Sequence, residues 1–117
     1  QMAIDDEIVP NVATRLLARA MGITHVGAEL QPIGLLPLEP KLPMSGNLGE
    51  GRTAALFQFD RTTDKAGVPP EKANHSSTPA CLEAMAQDSR FIETWLAGQP
   101  VEIIDPYVAL KTPPLAP

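Results

Sequence analysis

Met2-Ala-Ile-Asp-Asp-Glu-Ile-Val-Pro-Asn11 runs without a break into Val12-Ala-Thr-Arg-Leu-Leu-Ala-Arg-Ala-Met21-Gly22. Met2 to Ile4 is a short apolar run that reads as the end of a strand, and Asp5-Asp6-Glu7 reads as an acidic loop leaving it. Val12, Leu16, Leu17, Ala20 and Met21 recur at helical spacing. Pro10 or Asn11 suits the start of that helix, and Gly22 suits the left-handed position that ends one. Ile23-Thr-His-Val26 then reads as a second short strand. Strand, acidic turn, helix and strand in that order place the chain among α/β folds.

Outward from this unit, residues 31–51 hold four prolines and four glycines, a density that neither helix nor ladder survives. Leucines are interleaved with the breakers, so this long loop, an insertion at about 30–51, is expected to pack on something. Arg52-Thr-Ala-Ala-Leu-Phe-Gln-Phe59 is the strongest strand, and residues 60–77 are polar and turn-rich. A second helical region opens at Thr78-Pro79, with a hydroxyl cap and proline in the first helical position. It carries one stripe of Leu82, Met85 and Ala86 and another of Phe91, Ile92, Trp95 and Leu96. Asp88 or Ser89 could cap a restart between them, and Gly98 ends the region. Phe91 and Trp95 are expected in the core. Val101 to Ile104 reads as a last extended piece terminated by Asp105-Pro106, and the body of the domain covers 1–110. Residues 111–117 read as a proline-rich tail.

The length of 117 residues fits one domain. Lys plus Arg number 9 against 14 Asp plus Glu, a net charge of -5 that disfavours nucleic-acid and anionic-membrane partners. A single cysteine, Cys81, excludes an internal disulfide framework and a multi-cysteine zinc site. Aromatic residues make up only 4%, which points to an aliphatic core. No segment approaches a membrane span or a secretory leader. The chain opens on Gln-Met-Ala-Ile rather than on an initiator methionine, which is expected of a piece of a longer protein.

The acidic turn Asp6-Glu7-Ile8-Val9-Pro10 before a helix, and His75 in a loop between a strand and a second helix, resemble the C-terminal part of an α/β-hydrolase. The wording Asp-Asp-Glu-Ile-Val-Pro-Asn, with Thr-Ala-Ala-Leu-Phe-Gln ahead of the histidine loop, is similar to large extracellular lipases of Gram-negative bacteria. The resemblance spans roughly residues 1–98. It implies the late strands and helices of a parallel sheet, incomplete on their own. Asp6 aligns with the acid of a Ser-His-Asp triad and His75 with its base, in the family's order of acid before histidine. It implies a carboxylic ester or lipid substrate, no metal or organic cofactor, and an extracellular or envelope location. No Gly-x-Ser-x-Gly occurs, and Ser45, Ser76, Ser77 and Ser89 lack that setting. The nucleophile and oxyanion hole would therefore come from an upstream segment or a second chain.

Other readings stand beside this one. Asp5 is the nearest rival to Asp6, and Glu7 a weaker one; Pro10, four residues after the acid, favours Asp6. A hard-cation site from Asp5, Asp6, Glu7 and a histidine lacks any recognised ligand spacing. His25, in an apolar strand, and Cys81 read as structural. Asn74-His75-Ser76 has the pattern of a glycan acceptor, but a glycan there would crowd the base. The rival class is a non-catalytic α/β binding or interaction module whose proline-rich loop meets a partner.

Overall fold

Ala55-Leu-Phe-Gln-Phe59 forms the spine of the molecule, a five-residue strand in which Phe57 and Phe59 suit a pleated, buried surface. The computed structural model describes residues 1–116. In chain order its elements are β1 (Met2–Ala3), α1 (Asn11–Met21), β2 (Thr24–Val26), β3 (Leu38–Glu39), β4 (Met44–Ser45), a 3-10 turn at Gly49–Gly51, and β5 (Ala55–Phe59). There follow β6 (Arg61–Thr62), β7 (Glu71–Lys72), a 3-10 turn at Thr78–Ala80, α2 (Leu82–Leu96), β8 (Glu102–Ile103) and α3 (Pro106–Leu110).

Four parallel strands pair in the order β1-β5-β2-β3. The register sets Ala3 opposite Phe59 and Val26 opposite Phe57. The chain leaves β1 through α1, skips one position to lay down β2, and later fills the gap with β5. The loops after β1 and β5 therefore leave the same carboxyl edge from adjacent strands, although far apart in sequence. A hairpin of β6 and β7 carries the chain beyond the sheet and returns it, Ala73 N–H donating to Asp60 O at 2.9 Å. That hairpin lies inside the stretch the sequence presents as irregular. Its strands are Arg-Thr and Glu-Lys, and only backbone pairing identifies them.

Side-chain alternation along β5 divides the interior in two. Phe57 and Phe59 join Ala3, Val26, Cys81, Ala84 and Ile103 on the α2 face, and Leu56 joins Met2, Ala18, Ile23 and Ile33 on the α1 face. The core is mainly aliphatic, as the composition suggests, and Phe57 and Phe59 are its aromatic members, both on the α2 face. Phe57 and Phe59 meet edge to face at 5.0 Å, and the Tyr107 ring lies 5.9 and 6.0 Å from them, so these three rings form one cluster. Part of the proline-rich insertion packs inward, with Ile33 buried and Leu42 and Met44 against the core, while Leu35 is 92% exposed.

Both long helices turn their apolar stripes outward. Val12, Leu16, Leu17 and Met21 of α1 are exposed, as are Met85, Phe91, Ile92, Trp95 and Leu96 of α2, so Phe91 and Trp95 are not core residues. A second, polar stripe explains this. Glu83, Gln87 and Thr94 of α2 are buried, and with Arg90 they bond to other segments of the same chain. Gln87 Nε2 donates to Ile104 O at 2.9 Å, Thr94 Oγ1 accepts from Glu102 N at 3.1 Å, and Arg90 pairs with Glu102 at 2.6 Å. On α1, Arg15 bonds Gln31, and Arg19 bonds the carbonyls of Ile33 and Gly34. Buried backbone polar groups need partners, and these side chains supply them.

Helix α2 also runs through Asp88 and Ser89 without a restart, and it begins at Leu82 rather than at Thr78-Pro79. Cys81 caps it, Sγ accepting from Ala84 N at 3.3 Å. Asp105-Pro106 does not simply end a strand but starts α3, with Asp105 accepting from Tyr107 and Val108 N–H. Within the proline-rich tail Thr112 is held, its hydroxyl donating to Glu83 at 2.8 Å. Among the described residues no helix is long and apolar enough to cross a membrane.

Candidate active site

The turn after β1 is built around the Asp6 carboxylate. Its Oδ1 accepts from Ile8 N–H at 2.8 Å and Val9 N–H at 2.9 Å, closing the loop that leads through Pro10 into α1. On the other side Asn74 organises a second tight turn, its Oδ1 accepting from Ser76 and Ser77 N–H at 3.0 and 2.9 Å. The Asn74 carbonyl oxygen also accepts from the Thr78 hydroxyl at 2.8 Å. His75 stands at the tip of that turn. Asp6 Oδ2 and His75 Nδ1 lie 3.1 Å apart across a sequence separation of 69 residues. The carboxylate is 12% exposed and the imidazole 42% exposed, so the acid is sheltered and the base faces solvent.

The Asp6 carboxyl is held below its ordinary range. The Val9 N–H contributes most, partial burial opposes it, and the Ile8 N–H and His75 add to the lowering. An ionised carboxylate only accepts, so Nδ1 is the donor and a neutral His75 presents Nε2 as a lone-pair acceptor. That tautomer can remove a proton from a hydroxyl, and the resulting imidazolium lies against a carboxylate that stabilises it. An open pocket of about 300 Å³ adjoins the pair, lined also by Val9, Thr14, Thr78 and Pro79.

Each remaining candidate is placed by the structure. Asp5 turns away from the imidazole, accepting from Gln31 Nε2 at 2.8 Å and lying 3.6 Å from Lys72 Nζ. Glu7 is exposed. His25 is buried in β2, its Nε2 without a partner, and desolvation lowers its pKa against an opposing pull from Glu29. Cys81 is buried as a capping side chain, and burial pushes its thiol up. Among the described residues no group of three or more His, Cys, Asp and Glu side chains could hold a metal ion. Ser77 Oγ is engaged with Thr62 and Asn74 rather than with His75.

Asn74 was missed as the organiser of the histidine turn. Its signal is the Asn-x-Ser-Ser spacing, which suits a side-chain-capped turn as well as it matches a glycan acceptor.

These features define a small α/β protein with a carboxylate–imidazole pair at the carboxyl edge of a parallel sheet, where open α/β sheets carry their sites. Comparison with known protein families, curated proteins and solved structures gives no match.

Proposed function

We propose that this chain supplies the acid and the base of a serine hydrolase acting on carboxylic esters, lipids among them, within an α/β-hydrolase assembled with residues outside this chain. The observation that carries the reading is the Asp6–His75 contact of 3.1 Å at the carboxyl edge of the sheet. Asp6 orients the ring and steadies its charge. His75 Nε2 takes the proton from a serine hydroxyl as that oxygen attacks the ester carbonyl, then returns it to the leaving alcohol. Water repeats the cycle on the acyl-serine. The serine and its oxyanion hole come from an upstream segment or a second chain, as the resemblance to α/β-hydrolases implies. The extracellular or envelope location is part of the same proposal.

Ester hydrolysis by the protein that contains this segment together with its upstream residues tests the reading. His75→Ala is expected to lower kcat by about 10⁴-fold or more, with Asp6→Asn close behind. Equal rates for wild type and His75→Ala would refute it. The outward apolar stripes of α1 and α2 also favour a second reading, an interaction module that binds a partner through those faces. Under it neither substitution at Asp6 or His75 changes partner binding, and no ester is cleaved.

A further inference from the structure

Asp5 is a non-glycine residue with a φ of 57°, in the left-handed region, immediately before the proposed acid. Aspartate tolerates that conformation better than most residues, and a β-branched side chain tolerates it poorly. Here it redirects the chain as it leaves β1, between the pairing of Ala3 with Phe59 and the carboxylate turn of Asp6. Its side chain is tied on two sides. Gln31 Nε2 donates to Oδ1 at 2.8 Å. Gln31 is itself fixed to the sheet, because the buried Gln58 of β5 accepts from its N–H at 2.9 Å and donates to its carbonyl at 2.8 Å. Lys72 Nζ lies 3.6 Å from Oδ2, and Lys72 sits at the end of β7, three residues before His75. One carboxylate thus links the acid's turn both to the middle of the sheet and to the segment that delivers the histidine. The Asp5–Lys72 pair is largely exposed and adds little stability.

We infer that Asp5 is a positioning residue, whose left-handed backbone and two side-chain ties hold the Asp6 carboxylate against His75 Nδ1. The inference rests on the reading of Asp6 and His75 as an orienting acid and base. It makes Asp5, the sequence rival of Asp6, a partner in the same site that never touches the imidazole.

The tautomer of the neutral His75 ring reports this directly, by two-bond proton–nitrogen correlation on the labelled 117-residue chain. The wild type is expected in the Nδ1–H form. Asp6→Ala should shift the ratio toward Nε2–H by about tenfold, the effect of losing one net hydrogen bond. Asp5→Val, which opposes the left-handed backbone and removes both ties, should shift it in the same direction. Asp5→Asn keeps an oxygen for Gln31 and tolerates the backbone, and should stay near wild type. Both Asp5 variants remove the same charge, so the difference between them reads geometry. The backbone amide spectrum shows whether each variant folds. If Asp5→Val does not, the double variant Gln31→Ala with Lys72→Met removes the ties without touching the turn, and the same shift is expected. A wild-type ratio in Asp5→Val, or in that double variant where it stands in, overturns the role of Asp5 while leaving the pair intact. A ratio unmoved by Asp6→Ala overturns the pair, and the role of Asp5 with it.

Discussion

Glu83 offers the sharpest test of how the histidine segment is held. It is fully buried in the first turn of α2, where Oε2 accepts from Thr63 N–H at 2.8 Å and Oε1 from the Thr112 hydroxyl at 2.8 Å. One side chain therefore joins the exit of β6, the start of α2 and the segment beyond α3. Glu83→Ala leaves the Thr63 N–H, on a residue only 8% exposed, without its acceptor. An orphaned buried donor costs about 1–3 kcal/mol, and a lost hydrogen bond to a charged group about 1.5–3. Together with the space vacated, the expected loss is about 3–5 kcal/mol.

With a urea m-value of about 2 kcal/mol/M, that loss lowers the unfolding midpoint by about 2 M, read by circular dichroism. Glu83→Gln keeps an acceptor oxygen for Thr63 and should cost only about 1 kcal/mol. Burial pushes the Glu83 carboxyl up, but the hydrogen bonds from Thr63 and Thr112 outweigh it and hold the pKa below the ordinary value. Its ionisation therefore stabilises the fold above about pH 4.3, and that contribution is lost as pH falls through the lower folded value. The gap between wild type and Glu83→Gln should close over that range. A loss below about 1 kcal/mol for Glu83→Ala would refute the assignment of Glu83 as the tie among these elements.

Trp95 is 65% exposed, so its fluorescence should be that of a hydrated indole and readily quenched by acrylamide. Trp95→Gln should then change the stability of this chain by no more than about 0.5 kcal/mol, where a core tryptophan would cost several. His25, buried and with a lowered pKa, is neutral in the fold while the unfolded ring titrates near about 6.5. Stability is thus complete above that pH and falls as acid charges the unfolded ring, and His25→Gln should flatten the slope between about pH 7 and 5. Gly27 has φ +78 and an added Cβ would lie 2.7 Å from the Phe57 ring, whereas Gly22 at φ +63 has nothing within 4 Å. Calorimetry should show Gly27→Ala as the more damaging change, Gly22→Ala costing only the backbone term of about 1–2 kcal/mol.

What local chemistry dictates was legible in the chain. Pro10, Gly22 and the spacing from Val12 to Met21 mark α1, and the β-favouring run before Asp60 marks β5. The order of acid, helix, strand and histidine, read through its resemblance to α/β-hydrolases, pointed to Asp6 and His75, with Asp5 and Glu7 as rivals for the acid. That they stand 3.1 Å apart is a result of topology, because β5 enters the sheet beside β1 and brings the two loops to one edge.

Which faces of the helices turn inward was decided elsewhere. The apolar stripes that identify α1 and α2 point outward, since Arg15, Arg19, Glu83, Gln87 and Thr94 satisfy backbone and side-chain groups of segments distant in sequence. The β6–β7 hairpin was hidden for a related reason. Its strands are polar, and their pairing depends on backbone groups that every residue carries. Hydrophobic spacing records local periodicity alone. The placement of these polar ties depends on which buried donors and acceptors the rest of the fold leaves open, and that is settled only when the whole chain has packed.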